Sequence, residues 1–126
     1  MPIQEERRFP ASREEVPRVR HWIESLADRA SFSPAKADLA LAVSEATSNA
    51  VRHSGASHLT VRWRANHGRA EIEVADDGIF DQSAVSPDGH GGFGIPMMAA
   101  LVDEFSIEQG RPGRPGTRVR LVKRKG

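Results

Sequence analysis

Residues 35–74 read AKADLALAVSEATSNAVRHSGASHLTVRWRANHGRAEIEV, and the hydrophobic period changes partway along them. From Ala35 to His53 the apolar residues Leu39, Ala42, Val43, Ala46 and Ala50 recur at three- and four-residue spacing, which predicts a helix ending at Gly55. The stripe is narrow and mostly of small residues, so this helix can lie close to whatever covers it. Past Gly55 the period falls to two. Leu59, Val61 and Trp63 alternate with polar residues, Asn66-His67-Gly68 supplies turn chemistry, and Ile72 and Val74 alternate again before Asp76. A helix followed by a hairpin predicts a sheet with a helix laid on it.

The flanks extend this pattern. Ser33-Pro34 is a helix start, an N-cap followed by proline. Ser12-Arg13-Glu14-Glu15 reads as a capping box, with Ser12 capping the free amides and Glu15 reaching back. A helix should follow to about Arg29, with Val16, Val19, Ile23, Leu26 and Ala27 on one face and Pro17 in its first turns, where a missing amide costs least. Residues 5–9 read as a short extended piece. Residues 79–91, rich in Pro, Gly, Ser and Asp, read as a loop, and a loop of about a dozen residues in a small domain points to function or mobility. A short helix at Ile95–Leu101 and two strands, Phe105–Gln109 and Thr117–Val122, complete the order. The expected fold is α+β: a two-layer sandwich with a mixed or antiparallel sheet and helices on one face, as a single domain over 1–126.

Composition narrows the function. A chain of 126 residues suits one domain. It has no cysteine, which removes disulfides and thiolate metal sites and fits a reducing compartment. No His-x-x-x-His pair offers zinc a home. MPIQEERRF has no signal-peptide apolar run, and no stretch nears the ~18 apolar residues of a membrane span. The net charge of +1 does not call for an acidic partner. The basic C-terminal end (Arg111, Arg114, Arg118, Arg120, Lys123, Arg124, Lys125) lacks the aromatic platforms of a nucleic-acid surface and reads as a solvated strand face.

Four short motifs carry candidate chemistry. Glu45 and Asn49 stand four apart and share a helix face. They could be a polar rim pair, with Glu45 in an ion pair with Arg52. Alternatively, Glu45 could take a proton while the Asn49 carboxamide oxygen ligates Mg²⁺. His53, one turn on, could touch a phosphate or cap the helix end. Asp76-Asp77-Gly78 closes a strand. It is either plain turn chemistry, or a carboxylate for the exocyclic amine of adenine with Gly78 turning the chain clear of the base.

Gly89-His90-Gly91-Gly92-Phe93-Gly94 matches G-x-G-x-x-G. It follows a polar loop rather than a strand, and no acidic residue stands about twenty positions on, so the dinucleotide-fold meaning fails. A glycine-rich entry to a helix still offers free amides to phosphates. Gly116-Thr117 opens the last strand and places a hydroxyl there.

In this order the motifs resemble those of the Bergerat-fold (GHKL) ATPases, and within them the stand-alone bacterial anti-sigma-factor serine/threonine kinases, each a histidine-kinase-like ATPase domain. Ser44 to His53 is similar to their N box, and Val74 to Gly78 to their first glycine box. Gly91 to Ile95 with Leu101 to Glu104 is similar to the second, and Gly116 to Val119 to their terminal Gly-Thr element. The resemblance spans most of the chain. It implies Glu45 as general base, Asn49 as ligand to Mg²⁺, Asp76 as reader of the adenine amine, and Thr117 as support for the base. It places Gly78, Gly92 and Gly94 in the base pocket and phosphate loop, with His53, His90, Gly91 and Phe93 beside the nucleotide. It further implies ATP and Mg²⁺, phosphorylation of a Ser or Thr on an anti-anti-sigma protein, sequestration of a sigma factor, homodimers and a cytoplasmic setting, with no direct role for nucleic acid or membrane. One departure stands out. Many relatives carry a second glycine shortly after the first box, whereas here the run is Asp76-Asp77-Gly78-Ile79-Phe80-Asp81. A nucleotide-free or non-catalytic regulator that acts by partner capture is therefore the alternative.

Overall fold

The computed structural model describes residues 3–32, 35–53, 55–66, 68–78, 94–108, 113 and 116–124. Its elements are β1 (Ile3–Pro10), a 3₁₀ turn (Arg13–Glu15), α1 (Val16–Arg29), α2 (Lys36–His53), β2 (His58–Asn66), β3 (Arg69–Asp76), α3 (Gly94–Leu101), β4 (Glu104–Glu108) and β5 (Arg118–Arg124). The five strands form one sheet in the order β1-β2-β3-β5-β4, and every pairing is antiparallel. Of the mixed and antiparallel sheets expected, the antiparallel one is found.

The period-2 pattern sends Leu59, Val61, Trp63 and Ala65 of β2 to one face, opposite Asp76, Val74, Ile72 and Ala70 of β3. Val119 and Leu121 of β5 continue that face. Against it lie Val19, Ile23, Leu26 and Ala27 of α1, Leu39, Ala42, Val43 and Ala46 of α2, and Met98 of α3, all buried in one core. Every member of the small-residue stripe on α2 is buried. The Phe32 ring stands edge-on to Trp63 at 6.3 Å, closing the core beneath the α1–α2 connection. The opposite face carries charge: Arg62 bonds Glu73 at 2.6 Å, and Arg120 bonds Glu71 at 2.8 Å. Of the basic residues of β5, Arg120 and Arg124 lie on this charged face as expected, whereas Lys123 falls on the helix side, donating to the Leu101 carbonyl at 2.9 Å and pairing with Asp38 at 3.3 Å.

Two details depart from expectation. The capping box does not form. Ser12 has the extended backbone of an N-cap but makes no side-chain cap bond. The first turn winds as 3₁₀, so the Glu15 amide donates to the Ser12 carbonyl at 3.0 Å, which removes the donor that the hydroxyl was to cap. The Glu15 carboxylate turns to Arg18 at 3.4 Å. The extended piece at the N-terminus is also longer than residues 5–9, because β1 pairs with β2 along its whole length.

Candidate functional site

α2 and the ends of the central strands frame a narrow cleft lined by Ala46, Asn49, Ala50, Val74, Asp76, Ile107, Thr117 and Val119, with about 10 Å³ of interior space. Sheet register explains its composition. Val74 pairs with Val119 and Val119 with Ile107, so these three share the helix-facing side. Asp76 and Thr117 lie two residues further along β3 and toward β5, on the same side. The Asp76 amide donates to the Thr117 carbonyl at 2.9 Å, extending the ladder to that rung. Above them Ala46 and Ala50 present only methyl groups. The cleft exists because these α2 positions are small.

Asp76 organises the floor. Its Oδ1 accepts the Gly78 amide at 2.8 Å, a side-chain-closed turn, and the Thr117 amide at 3.4 Å. Gly116 donates its amide to the Gly78 carbonyl at 2.8 Å and holds φ at +113°, where a side chain is disfavoured. The first glycine box and the terminal Gly-Thr element are thus one hydrogen-bonded unit. Thr117 is buried at 4% exposure and Gly78 is also buried.

Asp77 faces away and does different work. Its carboxylate accepts the Ser57 amide and hydroxyl, both at 3.1 Å. The Ser57 hydroxyl bond is the main reason its carboxyl is held below the ordinary aspartate value. Asp77 clamps the α2–β2 connection to the end of β3, which leaves Asp76 as the carboxylate of the cleft.

In the N box, the Thr47 hydroxyl donates to Val43 O at 2.8 Å and that of Ser44 to Ala40 O at 2.8 Å. Their polarity is taken up by their own helix. Asn49 is 6% exposed and lines the cleft, and its Oδ1 accepts a bond from Arg52 at 3.2 Å. Glu45, one turn earlier, opens into a neighbouring groove with Arg13, Val16, Ser48, Val51 and Arg52. Among the described residues Glu45 makes no ion pair, and Arg52 is engaged with Asn49 instead. The cleft therefore joins Asn49, Asp76 and Thr117, with Gly78 bonded to Asp76 behind them and Glu45 around the helix. The His53 side chain and residues His90, Gly91, Gly92 and Phe93 lie outside the described residues, and Gly94 starts α3.

The residues fit a magnesium nucleotide in part. Among the described residues no group of three or more His, Asp or Glu could hold a metal. An ion at Asn49 would need phosphate and water as its other ligands, the usual arrangement for Mg²⁺. Arg52 is exposed, so it can leave Asn49 Oδ1 to such an ion.

The model of the histidine kinase-like ATPase domain matches residues 9–123. The chain belongs to that family. As a histidine kinase-like ATPase domain it is 32% identical to the serine-protein kinase RsbW of Bacillus velezensis, over 82% of this chain and 76% of the relative. It is 30% identical to RsbW of Bacillus subtilis, over the same shares of each chain. A mycobacterial sensor histidine kinase, MprB, superposes with a TM-score of 0.55 at 18% identity, covering 97% of both chains, and shares the fold.

Sequence reasoning missed the apolar lining from Ile107 and Val119 and the Arg52 contact on Asn49. The strand period could have supplied the first, since both residues alternate in phase with Val74. The second needed only i, i+3 spacing on the helix.

Proposed function

We propose that this domain is an ATP-dependent serine/threonine protein kinase of the anti-sigma type. It would transfer the γ-phosphoryl group to a Ser or Thr of an anti-anti-sigma protein and, in alternation, hold a sigma factor, thereby regulating transcription. The setting is cytoplasmic and the working form a homodimer. Among the described residues, no helix is long and apolar enough to cross a membrane. The carrying observation is the convergence of Asn49, Asp76 and Thr117 on one cleft beneath the methyl groups of Ala46 and Ala50.

In this reading the adenine amine donates to the Asp76 carboxylate and Thr117 supports the base. Asn49 helps hold Mg²⁺, which when bound supplies positive charge to the phosphates. The amides between His90 and Gly94, with His53, meet the phosphate chain. The acceptor hydroxyl enters from the neighbouring groove. Its proton passes to the Glu45 carboxylate as its oxygen bonds to the γ-phosphorus and the bond to ADP breaks. Positioning and charge do most of the catalysis.

Thermal unfolding with and without Mg-ATP tests the site. Asn49→Ala should lose the shift that wild type shows. Glu45→Ala should keep the shift and lose transfer, and a Glu45→Ala variant that phosphorylates at the wild-type rate sinks the base assignment. A second reading, partner capture without transfer, draws on the missing second glycine after Gly78 and on Arg52 occupying Asn49 Oδ1. Partner binding with no ATP-dependent shift would select it.

A further inference from the structure

α2 sends one side chain into each of two neighbouring depressions. Asn49 lines the cleft, and Arg52, three residues on, lines the groove that also holds Glu45. The Arg52 guanidinium reaches back out of the groove, and its Nη2 donates to Asn49 Oδ1 at 3.2 Å. Asn49 is only 6% exposed, and a buried carboxamide oxygen left without a donor is costly. The empty cleft therefore needs this bond. Its donor is a full positive charge, offered to the same oxygen that the proposed function assigns to Mg²⁺. Arg52 itself is exposed and makes no ion pair among the described residues.

We propose that Arg52 is a latch on Asn49: it holds the carboxamide oxygen while the cleft is empty, and it swings into the groove before that oxygen can face a metal. The inference rests on the magnesium-nucleotide reading of the cleft and adds a regulation of it. A guanidinium and a divalent cation exclude one another at a single neutral oxygen, because like charges a few ångströms apart repel strongly in a partly desolvated site. Arg52 thus satisfies the empty site and competes with the loaded one.

The groove can receive the released side chain. Glu45 stands two helical turns before Arg52 on α2, about 10 Å along the axis and on nearly the same bearing. Helical side chains lean toward the N-terminus, so Arg52 leans toward Glu45, and on that face only the short Ser48 side chain lies between them. Glu45 makes no ion pair among the described residues, so its carboxylate is available to a cation entering the groove. An anionic side chain of a docked protein would act in the same direction. By drawing Arg52 away from Asn49 it would tighten the hold of the cleft on a metal nucleotide, and the coupling is reciprocal.

Calorimetric titration with Mg-ATP, and with ATP in EDTA, tests the latch in wild type, Arg52→Met and Arg52→Lys, with ligand-free melting curves to check folding. Arg52→Met keeps an unbranched stem and removes the donor. It should bind Mg-ATP about two- to tenfold more tightly than wild type, the worth of one net hydrogen bond, and metal-free ATP no more tightly. Losing a positive charge by itself weakens attraction for an anion, so tightening is the mark of the latch. Arg52→Lys can still donate to Asn49 and should behave as wild type. Unchanged Mg-ATP binding by Arg52→Met overturns the latch and reduces the contact to satisfaction of Asn49. Weaker binding also overturns it and makes Arg52 a phosphate ligand; both results leave the nucleotide site standing. A wild type that takes up no nucleotide while Arg52→Met binds Mg-ATP supports the latch in its strongest form. No binding by any of the three proteins overturns the nucleotide site and the latch together.

Discussion

Asp76→Asn separates the two duties of the cleft carboxylate. In the free protein Oδ1 accepts two backbone amides, from Gly78 and Thr117. Hydrogen bonds to a charged acceptor contribute roughly 1.5–3 kcal/mol and neutral ones about 0.5–1.5, so neutralising the acceptor should cost about 1–3 kcal/mol of folding stability. In the nucleotide complex the adenine amine would be a further donor to the same group. Asparagine can answer it only with an oxygen already used by the turn, or with its own donor facing a donor. Losing a charged hydrogen bond of ~1.5–3 kcal/mol weakens binding on the order of 10- to 150-fold.

At a ligand concentration about 100 times the wild-type dissociation constant, wild type gains about 2.7 kcal/mol, and the variant should gain only about 0.3–1.4. With an unfolding entropy near 2.1 cal/mol/K per residue, the wild-type gain is a shift of about 10 °C and the variant's about 1–5 °C. Differential scanning fluorimetry with Mg-ATP and Mg-GTP reads this directly. The ligand-induced shift is compared within each protein, so the lower starting temperature of the variant cancels. Guanine presents an oxygen where adenine has its amine, so the asparagine variant should lose selectivity between the two. A full ATP shift in Asp76→Asn would refute the assignment of this carboxylate to the base.

Three further outcomes follow from the same geometry. Ala50→Leu puts three more carbons into the roof of the cleft, so the nucleotide-induced shift should collapse, at a cost in folding stability of about 1–3 kcal/mol read in urea. Gly116→Ala forces a side chain onto φ +113° with its Cβ 3.4 Å from the Asp76 carbonyl oxygen, and should cost about 1–3 kcal/mol in chemical denaturation while loosening the turn that positions Asp76. Asp77→Asn removes a carboxylate whose folded value lies below its ordinary 3.8 because Ser57 bonds the charged form. That contribution is present above the unfolded value and lost as pH falls through the folded one, so wild type should lead the variant at neutral pH by no more than ~1 kcal/mol, with the lead vanishing in acid.

The architecture was legible because its two layers announce themselves by different periods. The α2 stripe, the β2–β3 hairpin and the face they share all follow from Leu39 to Val74. β1 was only half legible: four consecutive charged residues show no alternation, and the strand is held by backbone pairing with β2. The capping box was a sound local pattern overridden by the tighter 3₁₀ turn, whose Glu15 amide bonds the Ser12 carbonyl instead. At the site, Asp76, Asn49 and Thr117 could be named from motifs, but their meeting depends on sheet register, which single residues do not encode. The division of labour between Asp76 and Asp77 was hidden altogether. It is set by strand alternation, which turns one toward α2 and the other toward Ser57.

That alternation also explains how so small a domain can hold a polar site without losing its core. The cleft continues the buried face of β3 and β5 past Val74 and Val119 to Asp76 and Thr117, where apolar packing gives way to polar side chains on the same side. Above it, α2 continues its stripe with Ala46 and Ala50 in place of the larger Leu39 and Val43. Buried polar groups at that end are tolerated because Asp76 accepts backbone amides and Asn49 accepts from Arg52. Ala46 belongs to the packed core and Ala50 borders it, and both also line the polar end, so the stripe that lets α2 sit close to the sheet is the one that brings Asn49 over Asp76 and Thr117.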